Sequence, residues 1–106
     1  MKIIMDELPR SSIEAFADKH KLEMFVGERT PFYWPDGHYY ARFNNTDTKG
    51  DGVLIGEYGN GPTKEIAIAE YARIISCKTI VVDAFSGGKK KRREIRVPLL
   101  HTEEKT

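Results

Sequence analysis

The sequence has a single cysteine among its 106 residues, Cys77, so no disulfide can form within the chain. That usage suits a reducing compartment. No apolar run approaches the roughly 18–20 residues that span a bilayer. The opening "MKIIMDELPR" is too short and too acidic to read as a secretion signal, so a cytoplasmic location is expected. Histidine is also scarce: His20, His38 and His101 stand far apart, without the H-x-x-x-H or C-x-x-C spacing of a metal site. Cys77 follows the end of an expected helix, where the dipole disfavours a thiolate, and reads as a small core residue rather than a nucleophile. Asp83 interrupts an apolar strand and is either a buried acid or an outward-facing one, with no carboxylate partner at fixed spacing. These absences argue against catalysis. The expectation is a non-enzymatic protein with no metal and no cofactor.

What the chain does have is an ordinary globular composition, 40% hydrophobic and 31% charged, with five Phe, five Tyr and Trp34. Its length fits one domain with a modest core. The net charge of +1 conceals an uneven distribution. The segment "GKKKRREIR" (88–96) holds Lys89, Lys90, Lys91, Arg92, Arg93 and Arg96 against one acid, Glu94. Taking these six from 17 basic residues and one from 16 acidic residues leaves 11 against 15, a mildly acidic body with one cationic protrusion. Such asymmetry speaks to partners rather than to fold.

The hydrophobic periods predict seven elements. Residues 11–20 read as a helix, with Ser11 and Glu14 at capping-box spacing and a stripe of Ile13, Phe16, Ala17 and His20. Residues 22–30 alternate as a strand, with Leu22, Met24 and Val26 on one face. The two prolines and Asp-Gly of "PFYWPDGH" mark a loop. A strand at 39–45, a turn at 46–52 and a strand at 53–59 follow. From Thr63 the period changes to that of a helix with a broad apolar face: Ile66, Ala67, Ala69, Tyr71, Ala72, Ile74 and Ile75. Segments 78–85 and 93–100 form a hairpin tipped by the basic run, and 101–106 reads as a frayed tail. No internal repeat or linker divides the chain. The order α-β-β-β-α-β-β predicts an α+β domain spanning 1–106, an antiparallel sheet with both helices on one face.

The junction "GEYGNGPTKEIAIAEYA" (56–72) tests three readings. A phosphate loop needs a lysine after its last glycine, and Pro62 stands there, removing a cation and an amide donor together. A dinucleotide fingerprint needs a third glycine, and Lys64 stands there. The reading that survives is a strand-to-helix corner, in which Gly59 and Gly61 supply positive φ and either Pro62 pre-sets φ for the first helical turn or Thr63 caps the helix.

The spacing of that corner also resembles a double-stranded-RNA-binding domain over residues 11–76. "IEAFADKHKL" is similar to that family's first helix, and "GNGPTKEIAIAEYA" to its glycine-rich turn and alanine-rich second helix. The resemblance implies an α-β-β-β-α scaffold, with residues 77–100 as an added C-terminal hairpin. In the family, lysines opening the second helix grip phosphates across an A-form groove. Lys64 stands at the first of these positions, whereas Glu65 and Ile68 occupy the second and third, so the usual contact set is largely missing. The chain is also loosely similar to small phage-encoded proteins with a G-N-G-x-T turn before an alanine-rich helix. That likeness implies an accessory protein that binds and modulates a host protein.

The expected function is therefore binding. Nucleic acid would be held by Lys89, Lys90, Lys91, Arg92, Arg93 and Arg96, supported by Lys64. Three to five phosphate contacts would give a log K against log salt slope of about −3 to −4.5 on duplex. The alternative partner is a protein, held by the aromatic segment through Tyr33, Trp34, Tyr39 and Tyr40.

Overall fold

Two glycines set how the sheet meets its longer helix. In the computed structural model, which describes residues 10–29, 38–85, 87 and 91–102, the strand Gly59–Gly61 lies flat against the helix Lys64–Ile75. A Cβ at Gly59 would sit 2.3 Å from both the Ala67 carbonyl oxygen and the Tyr71 nitrogen, and one at Gly61 would sit 2.7 Å from the Ala67 nitrogen. Both glycines therefore permit close backbone approach. Neither has positive φ, which corrects the expected reason for their presence. Pro62 and Thr63 then turn the chain, and the Thr63 hydroxyl accepts the Ile66 N–H at 3.1 Å as the helix N-cap.

The elements in chain order are β1 (Arg10–Ser12), α1 (Ile13–His20), β2 (Met24–Glu28), β3 (Tyr39–Phe43), β4 (Thr46–Gly50), β5 (Val53–Ile55), β6 (Gly59–Gly61), α2 (Lys64–Ile75), β7 (Thr79–Val82), β8 (Arg93–Arg96) and β9 (Leu99–His101). The architecture is α+β, with two helices packed against antiparallel sheet. Strands β2-β3-β6 form one antiparallel sheet and β5-β4-β7-β8 a second, while β1 and β9 pair in parallel. The expected turn at 46–52 is largely strand; only Asp51 and Gly52, at φ 48° and 80°, make the two-residue reversal.

A single bent hairpin joins the two antiparallel sheets. Its tip pairs Gly50 with Val53, and its base pairs Ala41 with Gly59 and Tyr39 with Gly61. Between Ala41↔Gly59 and Thr48↔Ile55 one arm has residues 42–47 and the other only 56–58. The longer arm absorbs its surplus at Asn44–Asn45, where Asn45 takes φ 55°, a conformation asparagine tolerates. The chain thereby leaves β2 for β7. Arg42 fixes the bend by donating from Nη2 to the Thr46 carbonyl at 2.7 Å.

The core lies between the inner sheet faces and the helices. Ile13 and Phe16 of α1 meet Ala41 and Phe43 of β3, Ala67, Tyr71, Ala72 and Ile75 of α2, and Ile80, Val82 and Ile95. Tyr71 is the largest of the fully buried side chains. Its ring packs edge-on to Phe43 at 5.4 Å and its hydroxyl hydrogen-bonds with the Phe43 main chain, while burial pushes the phenol up to about 12. Three expectations are corrected here. The α1 cap is Ser12, accepting the Ala15 N–H at 3.0 Å, one residue later than the capping-box spacing suggested. Ile66 points outward, 47% exposed, because the helix turns only Ala67, Tyr71, Ala72 and Ile75 fully inward. Pro98 breaks the last strand in two, and His101 belongs to β9 opposite Ser12 rather than to a frayed tail.

Gly59→Ala is expected to lower unfolding free energy by about 3 kcal/mol or more, because the new methyl meets backbone that cannot rotate away. Gly50→Ala, which meets only the tip of Ile55 at 3.4 Å, is expected to stay within about 1 kcal/mol of wild type in the same urea titrations.

Candidate functional site

The sheets turn one face to the helices and leave the other uncovered by either helix. Directly opposed residues on antiparallel strands share a face, and alternation assigns the rest. On the three-stranded sheet Met24, Val26, Tyr39, Ala41 and Phe43 face inward. Phe25, Gly27, Tyr40, Arg42 and Asn60 consequently share the outer face, as the pairs Phe25↔Arg42, Gly27↔Tyr40 and Tyr40↔Asn60 require. On the four-stranded sheet Ile80, Val82 and Ile95 face inward, so Asp47, Lys49, Thr79, Val81, Glu94 and Arg96 lie on the opposite face, where Val81 is fully buried and the charged residues surround it.

At one end this outer face is aromatic. Tyr40 lies across Gly27, whose absent side chain makes room: a Cβ there would sit 2.4 Å from the tyrosine ring. Phe25 and Tyr58 flank it with centroids at 5.9 Å each. The Arg29 guanidinium lies over both tyrosines, 4.7 Å from the Tyr40 centroid and 5.4 Å from that of Tyr58. Such cation–π stacking is worth about 0.5–1 kcal/mol where solvent reaches it. Phe25 and Tyr58 are each more than two-fifths exposed. Beside them the Asn60 Oδ1 is buried, with no hydrogen-bond partner among the described residues.

At the other end the outer face is charged. Glu94 is paired from both sides, with Lys49 Nζ at 3.5 Å and with Arg92 Nη2, which donates to it at 3.2 Å. Arg96 is exposed beside them, and Lys91 is exposed just before β8. Arg93 does not belong to this group. Its position in β8 turns it inward, where Nη1 donates to the His20 carbonyl at 2.9 Å and ties the four-stranded sheet to the end of α1. His20 itself is half-buried against Phe16 at 4.6 Å; burial, with Lys19 and Arg93 nearby, lowers its pKa below 6.5.

The remaining residues singled out in the sequence divide as follows. Lys89 and Lys90 lie outside the described residues, as do Tyr33 and Trp34. Lys64 is exposed in the first turn of α2, its ammonium 6.0 Å from the Tyr39 ring. It lies at the opposite end of a twelve-residue helix, roughly 18 Å long, from the Cys77–Val97 contact just after β8. Lys64 is thus apart from Arg96, the neighbour of Val97. Tyr39 packs toward the core and Tyr40 away from it, so the two adjacent tyrosines serve opposite faces. Cys77 is exposed, not a core residue, because it takes φ 63° just beyond the α2 C-cap Ser76. Asp83 is half-buried at φ 59°, ending β7 with its N–H donated to the Asn45 carbonyl. Sequence reasoning missed Phe25, Arg29 and Tyr58. The alternation of 22–30 put Phe25 on the polar face, which was the available signal.

Among the described residues no group of three or more His, Cys, Asp or Glu could hold a metal ion, and no helix is long and apolar enough to cross a membrane. No family model, curated protein or solved structure matches the chain.

Arg93→Met keeps the aliphatic stem but removes the bond to the His20 carbonyl. It is expected to cost about 1–2 kcal/mol in urea unfolding, whereas Arg92→Met, whose partner is an exposed carboxylate, is expected to cost less than about 1 kcal/mol.

Proposed function

We propose that this chain is a non-enzymatic binding module that contacts nucleic-acid phosphates through the cationic edge around β8. The observation that carries this reading is the outward projection of Lys49 from β4 and Arg96 from β8, on either side of Thr79 in β7, with exposed Lys91 and Arg92 before β8. Compared with the run read from sequence, Arg93 is spent on holding α1, and Lys49 joins from β4. Each phosphate neutralised releases condensed counterions, so four contacts would give a salt slope of about −3.6 on duplex and about −2.8 on single strands. The likeness in layout to double-stranded-RNA-binding domains carries no part of this reading, because Glu65 and Ile68 stand where that contact needs lysines.

Glu94 limits this edge by holding two of its cations. Fluorescence anisotropy with labelled duplex and single-stranded oligonucleotides, at low and physiological salt, tests the reading. Lys91→Glu with Arg92→Glu is expected to weaken binding at least about tenfold and flatten the salt slope by about two. Glu94→Gln is expected to tighten binding severalfold with little change in stability, since exposed pairs contribute about 0–1 kcal/mol. Absence of binding even at low salt, or affinity indifferent to all these substitutions, would refute the proposal.

A further inference from the structure

We infer that the aromatic end of the outer sheet face is a stacking site for unpaired bases, so that the module prefers single-stranded nucleic acid to duplex. This deepens the phosphate-binding proposal and rests on it. Three observations support it. Phe25 and Tyr58 flank Tyr40 with centroids 5.9 Å from its own, and these outer two residues are 43% and 41% exposed. The cluster already stacks a planar cation, since Arg29 lies over two of its rings. A flat nucleobase presents the same kind of face to a ring, and every base has one. The same outer face continues into Lys49 and Arg96, so a strand lying across it would meet rings at one end and cations at the other.

Duplex does not fit this end of the surface, because its bases are stacked on each other and their faces are not available to side chains. Charge also distinguishes the occupant. The outer face carries Arg29, Arg42, Lys49 and Arg96 against Glu23, Asp47 and Glu94, an excess of one cation that complements a phosphate backbone. Tyr40 has a support role in this arrangement. Its ring packs over Gly27 of β2, and Phe25 and Tyr58 stand at 54° and 67° to it on either side.

The test measures affinity of the full chain for labelled single-stranded RNA, single-stranded DNA and the corresponding duplexes. Phe25→Leu with Tyr58→Leu removes two exposed rings while keeping apolar bulk, and far-UV circular dichroism checks the fold. The expected result is tighter binding of single strands than of duplex, with the double variant about tenfold to a hundredfold weaker on single strands and unchanged on duplex. Arg29→Gln, which leaves the rings in place, is expected to weaken single-strand binding less. Equal affinity for single strands and duplex, lost on Lys91→Glu with Arg92→Glu but indifferent to the ring substitutions, would overturn the stacking site and leave the phosphate reading standing. Failure to bind any oligonucleotide would overturn both. A protein partner bound directly by the purified chain and lost in the ring variant would reassign this face to protein recognition.

Discussion

The contact between β6 and α2 is the constraint on which the rest of this structure depends. Without side chains at Gly59 and Gly61, the strand backbone comes within reach of the helix backbone at Ala67 and Tyr71. That approach seats Tyr71 and Ala67 in the core and fixes the edge of the three-stranded sheet. It also decides which way the neighbouring side chains point. Because the two glycines face the helix, Asn60 between them and Tyr58 before them are turned to the outer face. The packing requirement on one side of β6 thus creates the aromatic surface on the other.

A second constraint acts through the bent hairpin. The surplus of residues at 42–47 over 56–58 sends β4 to pair with β7 while β3 stays with β2. One arm of the bent hairpin therefore carries the aromatic end of the outer face at Tyr40 in β3 and the charged end at Lys49 in β4. Arg42 holds that bend through the Thr46 carbonyl, with Asp47 at 3.9 Å. It is a structural cation on a face where Lys49 and Arg96 remain solvent-accessible. The same division of labour separates Arg93 from Arg92, adjacent in sequence and opposite in role. Arg93, the first residue of β8, goes to the His20 carbonyl, and Arg92 just before the strand goes to Glu94.

Much of the fold was legible in local pattern. The Leu22, Met24 and Val26 alternation, the apolar period after Thr63 and the β-branched run at 79–82 each became the element their spacing implied. What local pattern could not supply was pairing. Nothing around Thr46–Gly50 distinguishes a long turn from a strand until β7 is beside it, and nothing in Leu99–His101 announces a parallel partner at Arg10–Ser12. The glycines at 59 and 61 show the same limit. Their presence is visible in sequence, but a turn needing positive φ and a strand needing clearance look identical there. The candidate site was half legible for this reason. Lys91, Arg92 and Arg96 are conspicuous as a run, while Lys49, Arg29, Phe25 and Tyr58 come together only through the register of four strands.

The most direct test of the account is amide chemical-shift mapping of the isotopically labelled protein during titration with an unlabelled single-stranded oligonucleotide. The account predicts that the largest changes fall on the outer face and its edge, at Phe25, Gly27, Tyr40, Tyr58, Lys49 and Arg96, while the amides of α1 and α2 hardly move. Changes concentrated in the first turn of α2 around Lys64 and Glu65, or none at all at saturating oligonucleotide, would contradict it.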